Sequence, residues 1–264
     1  MYQSIVTEID NTVAIVTLNK PDRHNAFDDH LVAELTDALL VLQNDDRVRV
    51  VVLSAAGKSF CTGMDTNWTR ESAGFTAEEC RDDAVRLATL MKTLNELPKP
   101  TVARVQGPAY GNGLGLVAAC DIAIASYDAQ FAMTEAKHGL VPAVVSPYVV
   151  AAIGERHCRR YMLSAERFSA AEAYRLGLVH EIVPGDEQLD DAVGEVVENL
   201  LKNSPGAQSE CKALLRAVAG QPIDESTIDE TVRSIVHVRS TAEGKEGVAA
   251  FLEKRKPSWV RTGA

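Results

Sequence analysis

Short aliphatic runs, each followed by a turn and an amphipathic helix, recur along the first 200 residues, and that alternation restricts the chain to an α/β architecture. Residues 3–8 and 12–18 flank Asp10-Asn11 and predict a β-hairpin. A turn at Pro21–Asn25 follows. Leu31, Val32, Leu35, Ala38, Leu39 and Leu42 then fall at helical spacing between Asp28 and Gln43. The next run, VRVVVLS (48–54), reads as a buried strand, so strand–helix–strand order predicts a parallel crossover. Thr76-Ala77-Glu78-Glu79 is a capping box opening a helix that runs to Leu97, closed by Pro98 and Pro100. TVARVQ (101–106) is the following strand, 113–119 a short apolar helix, and 121–125 and 130–132 further strands. Beyond Pro142 the pattern turns helical, over 147–153, 155–163, 169–176, 186–202, 206–218, 224–239 and 243–253. The expected organisation is a core over residues 1–200 and a C-terminal helical region over 201–264.

A chain of 264 residues with 46% apolar side chains can bury a core without disulfides or a metal. Its five cysteines are scattered without a CxxC pair, which argues against a zinc site or disulfide framework and fits a reducing cytoplasm. A net charge of −10 and the lack of a basic stripe weigh against a nucleic-acid surface. No apolar run approaches the roughly 20 residues that span a bilayer. A cytoplasmic location is therefore expected.

Three segments could carry chemistry. Ser59-Phe60-Cys61-Thr62-Gly63-Met64-Asp65 leaves the 48–54 strand, and Gly63 permits a sharp turn that frees the Met64 N–H. Asp65 could fix that loop by accepting backbone hydrogen bonds. Gly107 to Gly115 (GPAYGNGLG) lies between a strand and a helix, where unpaired N–H groups favour negative charge. The dinucleotide template fails because its third glycine falls on Leu116, and a Walker A loop fails for want of Gly-Lys-Ser/Thr. An oxyanion site or a packing turn remains. In Phe131 to Leu140 (FAMTEAKHGL), Glu135 stands in mostly apolar surroundings that would raise its pKa, unless Lys137 pairs with it. His138 reads as a packed or surface histidine.

In order and spacing, TLNKPDRHNAF, SFCTGMD, VQGPAYGNGLGLVAACDIAIAS, AQFAMTEAKHGLVPAV and ERFSAAEAYRLGLVHEIVP resemble the crotonase, or enoyl-CoA hydratase/isomerase, superfamily across essentially the whole chain. Two stretches, DTNWTRESAGFTAEE and VPAVVSPYVVAAIGERHCRRYMLSAERF, are similar to methylglutaconyl-CoA hydratases of bacteria and to isohexenylglutaconyl-CoA hydratases. The resemblance implies a spiral of strand–strand–helix units with a helical oligomerisation region, assembling as a homotrimer or a dimer of trimers. It implies an acyl-CoA thioester as substrate, no separate cofactor, no metal and a place in leucine or acyclic terpene breakdown.

Residue by residue, the resemblance implies that the N–H groups of Met64 and Asn112 hold the thioester oxygen and that Glu135 exchanges a proton at the α carbon. Hydratases of the family commonly carry a second glutamate, whose position here is Gly115. Three readings follow: hydration with Glu135 alone, helped by the substrate's own carboxylate or by a group from elsewhere in the chain; double-bond isomerisation by a single base; or decarboxylation and related enolate chemistry. The surrounding sequence favours hydration; a non-catalytic CoA-thioester or RNA-binding member is the alternative from another class. Substrate contacts are expected at Arg23, Asn25, Ala26, Thr62, Gly63, Met64, Asp65, Trp68, Gly111 and Gly115. A cation for a second substrate carboxylate is expected at Arg70 or Lys92, and a phosphate contact at Lys254.

Overall fold

The computed structural model describes residues 2–260, so positions 261–264 of the expected helical region lie outside the described residues. Strands β1 (Ile5–Asp10) and β2 (Val13–Leu18) form the antiparallel hairpin. Asn11 turns it in the left-handed region (φ 54°), which Asn tolerates better than most side chains. Helix α1 (Asp29–Gln43) begins where Asp28 accepts the Leu31 N–H at 2.9 Å, and its expected apolar stripe is buried. β3 (Val50–Ala55), buried throughout, then pairs with β2 in parallel. A short helix follows that sequence periodicity did not reveal, α2 (Thr66–Ser72), capped by Asp65. Both halves of the Thr76/Glu79 capping box form at the start of α3 (Ala77–Glu96).

β4 (Thr101–Val105), β5 (Ala109–Tyr110), α4 (Asn112–Ala119), β6 (Ile122–Ser126) and β7 (Gln130–Ala132) come next. The two expected helices after Pro142 are the two halves of α5 (Ser146–Ser164), separated by a kink at Gly154, whose φ of 76° only glycine adopts easily. β8 (Phe168–Ser169), α6 (Ala170–Leu176), β9 (Glu181–Val183) and α7 (Asp186–Leu201) complete the core. α8 (Pro205–Val218), α9 (Glu225–Ser240) and α10 (Ala242–Leu252) pack on one another. A half-buried ion pair, Lys212 to Asp121 at 2.5 Å, ties α8 to the core, and Asp121 also accepts from Thr101.

The long sheet runs β1-β2-β3-β4-β6-β9, parallel except for the first pair, and the short sheet runs β5-β7-β8. Both follow chain order. Successive crossovers are thus laid side by side as turns of a spiral, each crossing the long sheet and then the short one. Isolated bridges continue the pattern on the short side, pairing Phe27 with Met64 and Cys61 with Ala109. Phe27, Met64 and Glu135 each lie nine residues beyond the end of a long-sheet strand, at Leu18, Ala55 and Ser126. Phe27 and Met64 are accordingly bridge partners, whereas the turn after β4 is shorter and reaches Asn112 seven residues beyond Val105.

One apolar core fills the space between the long sheet and α1, α3 and α4, and a second lies where α7 covers Val50, Val52, Val102 and Ile124. Phe131 stacks on Phe168 (5.7 Å between ring centroids) and Tyr161 on Phe168 (4.3 Å), which anchors the short sheet under α5.

Candidate active site

The start of α4 is pressed against the loop leaving β3. A Cβ on Gly113 would lie 2.3 Å from the Cys61 carbonyl oxygen, so only glycine allows this approach. The contact is knitted by Tyr110 N–H donating to Cys61 O (2.8 Å) and Cys61 N–H donating to Pro108 O (3.1 Å). Gly63 and Gly111 take φ of 93° and 50°, letting both loops turn inward at the same level. Phe27 N–H donates to Gly63 O (2.7 Å) and Asp65 N–H to Phe27 O (2.8 Å). Met64 contributes to neither bond, so its N–H faces away from Phe27. Asn112 is the first residue of α4, where an N–H has no helical acceptor. Neither amide, Met64 nor Asn112, donates to a protein acceptor among the described residues.

Glu135 closes the group. Gly111 N–H donates to Ala132 O at 2.9 Å, which docks the segment before Glu135 onto the α4 loop. A Cβ on Gly111 would stand 2.8 Å from Glu135 Oε1 and 3.7 Å from Gly63 Cα, so carboxyl and both glycine loops meet within a few ångström. Glu135 Oε2 is buried without a hydrogen-bond partner, and the carboxyl forms no ion pair with Lys137. Burial pushes its pKa above the ordinary glutamate range, opposed in part by its own backbone N–H and by His138. An enclosed carboxyl oxygen with no partner is costly for a fold and typical of a working acid or base.

Arg23 reaches Asp65 at 3.0 Å, and Asp65 accepts the N–H groups of Asn67 (2.8 Å) and Trp68 (3.2 Å). Although burial pushes the Asp65 carboxyl up, those bonds hold it below the usual range. Asp65 therefore fixes the loop that carries Met64. Asn25 is fully buried, donates to Ala56 O and Ser59 O (both 2.9 Å) and accepts the Lys20 N–H (2.8 Å), so its side chain holds backbone. Ala26 N–H donates to Arg23 O (3.1 Å) and Thr62 N–H to His24 O (3.2 Å), tying these residues to the same loop. Trp68 packs edge-on against Phe75 (5.6 Å), and exposed Arg70 contacts Asn67 Oδ1 (3.1 Å).

Lys92 lies elsewhere, near Glu96 (4.0 Å) in a groove with Gln43 and Pro98. Lys254 sits past α10, on the helical appendage, where Arg255 pairs with Glu246 and Glu253 (2.6 Å each). Gly115 is packed shut: a Cβ there would meet Val145 Cγ1 at 2.2 Å and Val145 Cβ at 2.7 Å. Val145 drew no notice in the sequence, since nothing local marks a valine 30 positions away as the neighbour of a glycine.

A spiral of parallel turns with a short second sheet and a helical appendage is the crotonase fold. Residues 8–262 match the family described as Enoyl-CoA hydratase/isomerase, and the chain belongs to that family. Its structure is similar to that of an enoyl-CoA hydratase from Shewanella pealeana, with a TM-score of 0.94, 41% identity, and 97% and 96% of the two chains covered. It is also similar to Pseudomonas aeruginosa AtuE, with a TM-score of 0.93, 35% identity, and 98% and 100% coverage. A 1,2-epoxyphenylacetyl-CoA isomerase of Escherichia coli is 30% identical over 262 residues, 98% of this chain and 99% of its own length. Among the described residues no helix is long and apolar enough to cross a membrane.

Proposed function

We propose that the chain hydrates an α,β-unsaturated acyl-CoA thioester, with Met64 and Asn112 as the two amide donors to the thioester oxygen and Glu135 as the single proton carrier. The observation that carries this is the half-buried Glu135 carboxyl, whose enclosed Oε2 has no partner and whose Oε1 lies against Gly111, at the start of the helix whose first amide is free. Each such donor lowers the barrier by about 3–4 kcal/mol when charge develops on the oxygen. In hydration, Glu135 takes a proton from water as the water oxygen bonds to the β carbon and the electron pair moves onto the thioester oxygen. The carboxyl then returns that proton to the α carbon and is again a carboxylate. Coenzyme A enters with the substrate and no other cofactor is required.

The substrate we propose is a branched glutaconyl-type thioester, 3-methylglutaconyl-CoA or isohexenylglutaconyl-CoA. Support comes from the resemblance of residues 65–79 and 141–168 and from Arg70, a cation on α2 that contacts only Asn67 among the described residues. Arg70→Ala is expected to raise KM for 3-methylglutaconyl-CoA about tenfold, a charge-assisted contact of some 1.5–3 kcal/mol, and to leave crotonyl-CoA nearly unaffected. Equal effects on both substrates would remove Arg70 from the site.

Double-bond isomerisation is the second reading, and the hydrocarbon wall of Val145 over Gly115 favours it. Incubation in ¹⁸O-labelled water separates the two. Hydration of 3-methylglutaconyl-CoA carries label into product, whereas migration of a 3-enoyl double bond does not. Turnover of neither substrate defeats both readings.

We further propose a cytoplasmic homotrimer, or a dimer of trimers. Ile228, Val232, Ile235 and Val236 stand exposed along α9, with Val248, Phe251 and Leu252 exposed on α10. Apolar surface of that extent on a helical appendage calls for a partner. Light scattering at micromolar concentration should give three or six chains, and a stable monomer would contradict it.

A further inference from the structure

Glu135 lies against Gly111, the residue that caps α4, and Val145 against Gly115, inside that helix. Gly115 N–H donates to Gly111 O at 3.0 Å, so the two glycines stand one helical turn apart, about 6 Å along the axis. The Glu135 carboxyl lies over Gly111 and the Val145 isopropyl group over Gly115. Behind Val145 the next atom facing Gly115 is Met91 Cε, at 3.4 Å from a Cβ built there, an ordinary contact. Val145 is buried, 1% exposed, and is fixed at the start of α5, where its carbonyl accepts the Val149 N–H (3.1 Å). Its φ of −84° is open to any residue, glycine included. Hydrocarbon therefore occupies the space one turn from the carboxylate, and neither water nor a second acid can stand there.

We infer that Val145 is the residue that sets how this site partitions between isomerisation and hydration, because its side chain fills the space over Gly115. The inference rests on Glu135 being the proton carrier. Isomerisation of a 3-enoyl thioester needs one carboxylate and no water: Glu135 removes the α proton, the electron pair delocalises onto the thioester oxygen, and the same proton returns to the γ carbon. Hydration needs an oriented water at the β carbon. With Val145 in place no water is held over Gly115, and a water activated by Glu135 competes with the α carbon for one carboxylate. A carboxylate at position 115 would divide the two duties, but it fits only when both Cγ1 and Cβ of Val145 are removed.

The test is a cycle of wild type, Gly115→Glu, Val145→Gly and the double variant, each assayed for crotonyl-CoA hydration and 3-hexenoyl-CoA isomerisation. The ratio of hydration to isomerisation should rise at least about tenfold in the double variant, the low side of what a positioned acid–base group supplies. Gly115→Glu alone should lose thermal stability and hydrate no better than wild type. A folded Gly115→Glu protein that hydrates as fast as the double variant overturns the inference, as does a folded double variant with an unmoved ratio. Should the double variant fail to fold, Gly115→Ala is compared with Gly115→Ala/Val145→Gly. The melting temperature should be higher in the pair, and equal values refute the exclusion. Exchange of the α protons of butyryl-CoA with D2O, measured in wild type and Glu135→Gln, keeps the two ideas separable. Exchange that survives in Glu135→Gln defeats the role of Glu135, whereas exchange lost there beside an unmoved ratio defeats only the role of Val145.

Discussion

Glu135→Gln is expected to lower turnover by about 10²–10⁴, the range for a positioned acid–base group, while raising the melting temperature at neutral pH. The two effects share one cause. Glu135 Oε2 is buried with no partner, and burial lifts the folded-state pKa above the unfolded value. Below the unfolded value of about 4.3 the carboxyl is neutral in both states and costs nothing. As the pH rises through the folded pKa, the native state must carry a charge that the unfolded chain carries freely in water, so stability falls. Glutamine keeps the shape and never ionises. Melting curves from pH 4 to 8 should therefore show a gain for the variant at the upper end that vanishes at the lower, alongside a steady-state assay. Undiminished turnover would remove Glu135 from the chemistry, and a constant difference in melting temperature would remove the buried charge.

Gly113→Ala should lower kcat/KM by about 10²-fold, the scale of a roughly 1 Å misplacement of reacting groups, and destabilise the fold by about 1–3 kcal/mol. Its added methyl meets the Cys61 carbonyl oxygen at 2.3 Å and the Cys61 Cβ at 2.8 Å. Cys61 is fully buried and accepts the Tyr110 N–H, so it cannot yield without parting the β3 loop from β5. That shift moves Met64 relative to Asn112 and separates the two amides proposed to share one oxygen. Helix propensity alone would make alanine favourable by nearly 1 kcal/mol at an interior helical position, so the sign of the stability change discriminates. A more stable, fully active Gly113→Ala protein would mean that the loops are not in register. Calorimetry with crotonyl-CoA kinetics reads both.

Most elements were legible because their periodicity is strong and their ends are marked. The stripe from Leu31 to Leu42, the Thr76/Glu79 box and the prolines at 98 and 100 place α1, α3 and β4 to within a residue or two. Helix α2 carries no apolar periodicity because six of its seven residues are polar and none is fully buried; only its cap, Asp65, was visible. At the site, glycine-rich loops and a glutamate in apolar surroundings stood out one by one. Their meeting was apparent through resemblance, since no local pattern relates position 64 to 112 or 135. The gap left at Gly115 was legible as a missing acid, but not as a filled space, for Val145 becomes its neighbour only through the packing of α5 on α4.

The fixed stride from strand end to cleft, nine residues to Met64 and nine to Glu135, has a consequence for how such a chain can vary. One residue added or removed between Ala55 and Met64, or between Ser126 and Glu135, would rotate the working group out of line with its neighbours. Within the outer arc from Thr66 to Pro100, the second half of α3 is held by the core through Leu90, Met91 and Leu94, whereas α2 buries no residue and is free to vary. Such a chain can thus rewrite the surface of an arc while the distance from strand end to cleft stays fixed.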